Sequence, residues 1–450
     1  MSDSPGLVKG WPRNVRLFLL FRVFFNARYY YPIFALFFLD LGLTLPQFAA
    51  LNALWALVIV TLEVPSGALA DVVGRLPLLR LAALLMVVEM VCLLVPRLAP
   101  DWLLLSLALN RICSGAAEAL ASGCDEALAY DSLSLEQRHE WPRVLELQMR
   151  YLNAAMMVAM LVGAASYDPA LWKRFLDPQT AAAVAGVAPV VLTLVHAMVA
   201  VVVVFLMQEQ RPAQAIGWMV ALRSALGQTL NTLRWLIGQP TARLVLLSAV
   251  VFDHMIRQGL VVSSDYLNAI GISKAYLGPL GAVAALASSF FATPLARMAR
   301  QFRPATMFWL LYGALMIVSY LLAHPRGVGS AMGIIALSLL AGAVGYLTSL
   351  YLNQVVSSER RATLLSVKGL AMNLGFGWVS LAYATWVARL PAGDSNPPVI
   401  TAFAAYLPYG TILVLIITAL AFGQNDVGGQ PGGYQPSPAE PSSTVDSASR

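Results

Sequence analysis

The chain has 450 residues, 59% hydrophobic and only 12% charged, with 3 cysteines and a formal net charge of +6. A soluble globular domain carries about 25% charged residues, so this composition excludes an ordinary soluble protein and indicates a chain that crosses the bilayer repeatedly. Cys92, Cys113 and Cys124 all fall inside apolar runs without metal-ligand spacing, which argues against a disulfide framework, a metal site or a bound cofactor.

A polar tail covers residues 1–14. At roughly 20 apolar residues per span, twelve helical spans follow, at about 15–39, 46–68, 78–96, 101–129, 147–166, 181–207, 243–268, 274–297, 305–323, 328–352, 362–388 and 397–422. The first is too long for a cleaved signal peptide and lacks a small-residue cleavage site, so it reads as a permanent span. The chain thus divides into a six-helix bundle at 15–207, a linker at 208–242, a second six-helix bundle at 243–422 and a tail at 423–450. Placing the N-terminus in the cytoplasm puts 17 Lys and Arg residues on that side and 6 on the other. By the positive-inside rule both termini are then cytoplasmic. The pI of 9.3 follows from this asymmetry and from contact with anionic lipid, with no nucleic-acid patch.

In the linker, Ile216, Val220, Leu226, Leu230, Leu233 and Ile237 recur at helical spacing, with Arg223, Asn231 and Arg234 largely off the stripe. Such a helix lies on the membrane face or packs on the other loops. The last 28 residues, rich in Gly, Pro and Ser, lack the apolar side chains to build a core and are expected to be disordered. A shift of 227 residues aligns GAAEALAS at 115–122 with GAVGYLTS at 342–349, a faint sign that the two six-span halves are repeats.

Between the second and third spans stands LEVPSGALADVVGRLPLLR, residues 62–80. Gly67, Asp71, Gly74 and Arg75 match the Gly-x-x-x-Asp-Arg/Lys-x-Gly-Arg pattern, and the loop resembles the signature of the major facilitator superfamily. Val72 and Leu76 stand where that family usually has basic residues. Gly67 is expected to allow close helix approach, and Gly74 a positive φ. RICSG at 111–115 resembles the family's Arg-x-x-x-Gly pattern in the fourth span, and EVPSGALAD with DEALAYDSL at 125–133 resembles a bacterial branch.

The resemblance implies an all-α membrane protein with twelve transmembrane helices in two pseudo-symmetric six-helix bundles, the major facilitator fold, working as a monomer in a cell inner membrane. It further implies a conformational latch. Asp71 would face the start of the eleventh span near Arg360, Arg361 and Lys368, and Arg75 would pair with Asp125, Glu126 or Asp131. The two departures suggest a weak latch.

Nine charges sit deeper in the spans: Arg22, Arg28, Glu63, Glu89, Arg111, Glu118, Asp253, Arg257 and Lys368. At about 3 kcal/mol each they would cost on the order of 27 kcal/mol if unpaired in lipid, so they must pair or face water. Arg111 and Glu118 are seven apart on one helix face, and Asp125 continues it. Asp253 and Arg257, four apart, can pair directly. Glu118 beside Arg111 is the proton-carrier candidate, because desolvation and a nearby cation compete over its proton. Glu89, in the third span, reads as structural or lipid-interfacial. Asn26, Tyr30, Asn373 and Trp378 offer polar and aromatic surface to an organic solute.

These readings converge on a secondary transporter of a small organic solute working by alternating access and coupled to protons. Export is slightly favoured by the drug-transporter-like loop. Uptake by symport is the alternative, since the family's glycine-rich antiporter run is absent from MMVAMLVGAASY. A transport-inactive sensor or assembly protein on the same fold is a further alternative. An enzyme is disfavoured: His139, His196, His254 and His324 are scattered, and no GxSxG, HExxH or P-loop occurs.

Overall fold

The computed structural model describes residues 11–209, 217–325, 327–355, 358–390 and 397–422. The disordered tail expected at 423–450 and Ile216 of the linker stripe lie outside them. Among the described residues there are helices and no strand, as a chain without water to satisfy its backbone requires. Helix occupies each of the twelve segments predicted to span.

The first segment is broken: α1 (Arg13–Asn26) stops, and a 3₁₀ turn at Tyr31–Ile33 leads into α2 (Phe34–Asp40). Pro32 lies in that turn, and the freed Tyr29 N–H is satisfied by Thr193 Oγ1 at 3.0 Å. Next come α3 (Leu45–Val73) and α4 (Arg75–Leu98), separated by Gly74 alone, whose φ of +92° is left-handed. The fourth segment, expected to be continuous over 101–129, is divided into α5 (Leu103–Ala121) and α6 (Cys124–Asp131) by Gly123 at φ +72°. Beyond lie α7 (Trp141–Tyr167), the single turn α8 (Pro169–Trp172) and α9 (Pro178–Phe205).

After the linker helix α10 (Trp218–Gly238) the second bundle begins with α11 (Pro240–Val261) and a short continuation, α12 (Ser263–Ala269). It is completed by α13 (Lys274–Gln301), α14 (Pro304–Ala323), α15 (Val328–Val355), α16 (Ser358–Val387) and α17 (Pro398–Phe422). Eight helical stretches of the described residues are long and apolar enough to cross a membrane. They are nine if Lys274–Ser288 and Thr293–Gln301, bent by 42°, count as one span. Pro294 lies in the second of these, and a proline inside a helix kinks it.

The fold is all-α, two bundles of helices facing each other. In the first, α3, α4 and α9 pack against α5, α1 and α7; in the second, α11 packs on α15, α16 and α17, and α14 on α15 and α17. Two seams join them. One runs between α3 and α16. The other runs between α7 and α13, with α2 against α12 beside it. The seams close because small residues let backbones approach: a Cβ added at Gly278 of α13 would lie 2.2 Å from the Met160 carbonyl oxygen of α7. Gly67 behaves otherwise than expected. A Cβ there would meet nothing within 4 Å, so close approach of α3 to α5 is set by Gly115, whose Cβ would lie 2.9 Å from the Trp55 carbonyl oxygen.

The linker helix packs against α3, α16 and α11, burying Ala221, Thr232 and Leu236. The predicted apolar stripe is on the other face: Val220, Leu226, Leu230, Leu233 and Ile237 are all exposed. The helix therefore packs on the bundles and also leaves an apolar face open, so it combines features of both expected arrangements.

Gly278→Ala is expected to force α13 off α7 and lower stability by about 1–3 kcal/mol. Gly342→Ala, in open space on α15, is expected to be neutral or stabilising by up to about 1 kcal/mol. Thermal unfolding of the two purified variants checks the contrast.

Candidate functional site

Between the bundles lies a cavity of about 320 Å³, lined from the first by Arg28, Tyr30, Tyr31, Phe34, Asn52, Trp55, Arg111, Ser114 and Glu118. The second bundle contributes Arg257, Leu260, Val261 and Phe376. It is at the lower end of the usual range for small-molecule sites, and like them it has aromatic and apolar walls with a few placed polar groups.

The first wall is built around Glu89 of α4, which is fully buried. Its Oε1 accepts from Arg28 Nη1 at 2.5 Å and from the Tyr30 hydroxyl at 3.0 Å, and Arg111 Nη2 stands 3.7 Å away. The break after α1 aims Arg28 and Tyr30 inward. Arg28 is also within 3.3 Å of Ser114 Oγ and of the Tyr30 hydroxyl, to both of which it donates. Asn110 braces the cluster, donating to the Glu89 carbonyl at 2.8 Å and accepting from Arg111 Nε at 2.8 Å. Arg111 lies over the rings of Phe34 and Phe38, at 5.3 and 5.1 Å, a cation–π placement suited to a desolvated guanidinium. The opposite wall holds Arg257, paired with Asp253 at 2.7 Å, donating to Asn373 Oδ1 at 3.1 Å and lying 5.2 Å over Phe376.

Several sequence-based expectations need correction. Glu89 is no lipid-interface residue; it is the buried counter-ion of two arginines, a role that became visible only once the broken first helix brought Arg28 to it. Arg111 faces Glu89 rather than pairing with Glu118. Asp125 does not continue the Arg111 and Glu118 face, because Gly123 breaks the helix between them. Asp125 instead accepts from Arg22 at 3.0 Å, with Glu126 3.7 Å from the same guanidinium. Asn26 does not line the cavity and donates back to the Arg22 carbonyl at 2.8 Å. Trp378 is 67% exposed and off the cavity; Phe376, two positions earlier, supplies the aromatic wall. Glu118 is exposed to the cavity with no ion pair among the described residues. Glu63 sits at the α3 and α16 seam, its Oε1 3.4 Å from where a Gly369 Cβ would be, its Oε2 without a hydrogen bond among the described residues. Lys368 donates to Ser349 at 2.8 Å.

At the predicted cytoplasmic face Arg75 pairs with Asp131, the last of the three acids weighed for it. Leu76, one of the two departures from the family loop, is buried in the core of the first bundle with Leu17, Phe21 and Leu79. Its backbone N–H donates to Glu209 Oε2 at 2.7 Å, so a carboxylate sits where the first turn of α4 favours one. Glu209 was not singled out in the sequence. The side chains of Asp71, Arg360 and Arg361 lie outside the described residues. At the predicted outer face Asp40 of α2 accepts from Tyr167 of α7 and from Lys274 of α13, each at 2.7 Å. Leu36 N–H donates to Ser264 Oγ of α12 at 3.2 Å.

No family model matches the sequence, and no curated protein matches it. Solved structures do match. The D323A mutant of the nucleoside transporter NupG superposes with a TM-score of 0.71 at 12% identity, covering 91% of this chain and 100% of its own. A D-xylose-proton symporter gives 0.62 at 13% identity, covering 90% and 96%. A bacterial homolog of the human lysosomal transporter Spinster, inward-facing and unoccupied, gives 0.63 at 15% identity, covering 91% and 94%. The chain therefore has the major facilitator fold, with two pseudo-symmetric bundles, over nearly its whole length. The matched proteins are described as transporters or as a symporter.

Glu89→Gln is expected to leave two guanidinium groups short of a counter-charge in a dry site, lowering stability by about 3–5 kcal/mol. Glu146→Gln, which breaks the exposed pair with Arg150, is expected to cost at most about 0.5 kcal/mol. Denaturation midpoints in detergent test both. Asp40→Asn is expected to loosen the outer seam. In a chain with the three buried native cysteines replaced and a cysteine installed at Leu260, labelling by a membrane-impermeant maleimide should accelerate severalfold.

Proposed function

We propose that this chain is a secondary transporter that moves a small organic solute across the inner membrane by alternating access, coupled to protons through Glu118. The cavity between the two bundles supports this: both bundles line it, and the seams on either side of it are made by different helix pairs. A rocking of one bundle against the other about these seams can then open the cavity to one side of the membrane at a time. Glu118 suits the coupling role because it faces the same cavity with no ion pair among the described residues. Arg28, Arg111, Asp253 and Arg257, by contrast, are held in ion pairs.

Symport is favoured over export. Among proteins of the same fold, one is described as a D-xylose-proton symporter and another belongs to proton dependent oligopeptide transporters, and the antiporter run is missing here. The proposed orientation puts both termini in the cytoplasm, with domains at 15–207 and 243–422 joined by the linker at 208–242. Gly67, Asp71, Gly74, Arg75, Glu126, Asp131, Arg360 and Arg361 are proposed as the cytoplasmic latch, and Tyr30 and Asn373 as groups that shape the solute site. The partners are the solute, protons and membrane lipids, and the working unit is a monomer.

Glu118→Gln is expected to abolish solute accumulation driven by a pH gradient in proteoliposomes while sparing solute counterflow. Unchanged driven accumulation would rule Glu118 out as the carrier.

A further inference from the structure

We infer that the cavity recognises an organic anion, a carboxylate on a flat apolar or aromatic body, and that the carboxylate docks on Arg111. The inference rests on the reading of the cavity as the solute site and names the class of solute.

The first observation is a charge imbalance. Two guanidinium groups, Arg28 and Arg111, converge on one carboxylate, Glu89. Its Oε1 accepts from Arg28 at 2.5 Å and from Tyr30 at 3.0 Å, and its Oε2 is buried without a hydrogen bond among the described residues, so one negative charge stands against two positive ones. The cluster therefore carries an excess positive charge in a site from which water is largely removed, and such a charge favours an anion from solution.

The second observation concerns the hydrogen bonding of Arg111 itself. Arg111 is 4% exposed and lines the cavity, and its Nη2, 3.7 Å from Glu89 Oε1, makes no hydrogen bond among the described residues. A buried guanidinium nitrogen without an acceptor is costly, and a small rotation of the Arg111 side chain, which lines the cavity, would offer it to a carboxylate seated there. An arginine fork is suited to bind such a group through two parallel hydrogen bonds.

The rest of the wall describes the body of the ligand. Trp55, Tyr31 and Phe34 on one side and Phe376, Leu260 and Val261 on the other enclose about 320 Å³, room for a compact ring. Arg257 faces it from the second bundle, but its charge is matched by Asp253, so it adds a polar contact rather than a second anion site.

Glu118 is the opposing charge in the lining. It stands two helical turns from Arg111, about 10 Å along the axis, too far to neutralise it by contact. If Glu118 carries the proton, its charge is removed when the anion binds, and the two cargoes reinforce each other.

The experiment is thermal stabilisation of the purified protein in lipid nanodiscs by four ring compounds of similar size: benzoate, benzamide, benzylamine and phenylalanine. Ligand that binds only the folded state raises the midpoint with concentration. Benzoate is expected to stabilise saturably and to bind at least tenfold tighter than benzamide or benzylamine. Arg111→Lys keeps the charge opposite Glu89 and so preserves the fold, but it loses the fork; it should weaken benzoate at least tenfold. Arg257→Lys should weaken it less. Equal or tighter binding of benzamide or benzylamine overturns the inference, as does benzoate binding unchanged in Arg111→Lys. Phenylalanine binding tenfold tighter than benzoate also overturns it, because Glu118 would then be holding an ammonium group. Absence of stabilisation by all four overturns it too. Flux assays separate this from the transporter reading: benzoate that binds without any gradient-driven flux leaves the anion site standing and removes the transporter, while flux of a neutral solute without benzoate binding does the reverse.

Discussion

Glu89 is where three parts of the first bundle meet. It comes from α4, and it is held by Arg28 and Tyr30 from the break after α1, with Arg111 and Asn110 from α5 around it. In a bilayer an ionised side chain is tolerated only if its partners are already in place. The position of the first helix break, the depth of Arg111 and the shape of the cavity wall therefore all follow from that single carboxylate. Removing it would leave two cations facing one another across a dry gap. The aromatic residues that stack on Arg111 would also lose the reason for their placement.

The second constraint is that the bundles must both adhere and part. The two seams are made chiefly of small residues and apolar side chains, with Gly278 against Met160 in one and Gly377 against Ala53 and Ala56 in the other. Among the described residues polar links across them are few, with Asp40 to Lys274 and Leu36 to Ser264 toward the predicted outer side. Within each bundle, by contrast, charges are paired deep inside. This division of labour lets each bundle move as a stiff body, and it places the cavity, which belongs to both, where their relative motion is felt most.

Much of the architecture was legible in the sequence, because span length and hydropathy are set by the bilayer itself. The cavity residues Arg28, Tyr30, Arg111, Glu118 and Arg257 were legible for a related reason, as charged or polar groups where lipid forbids them. What escaped was anything that depends on a break in a helix. Gly123 and the turn at Tyr31–Ile33 are short local features inside long apolar runs, and periodicity arguments carried straight through them. That is why Asp125 was assigned to the wrong face, and why Glu89 was left between a structural and a lipid-interfacial reading. Trp378 and Phe376 show a different limit: both are aromatic residues two apart on one helix, and only the packing of α16 on α3 decides which one faces inward. Glu209 gave no signal, since its partner is a backbone N–H.

The clasp at the outer rim differs in kind from the pairs within. Asp40 is 36% and Lys274 30% exposed, and a pair so open to water holds with at most about 1 kcal/mol. When Lys274 withdraws with its bundle, Asp40 still has Tyr167 beside it in its own bundle, so the acid is never stripped of company. The two bundles are thus joined at the outer rim by a weak, solvated pair, while charges inside the first bundle are held in a buried one. Parting the rim pair leaves Asp40 its hydrogen bond to Tyr167 and Lys274 the water it already meets, so separation there costs little.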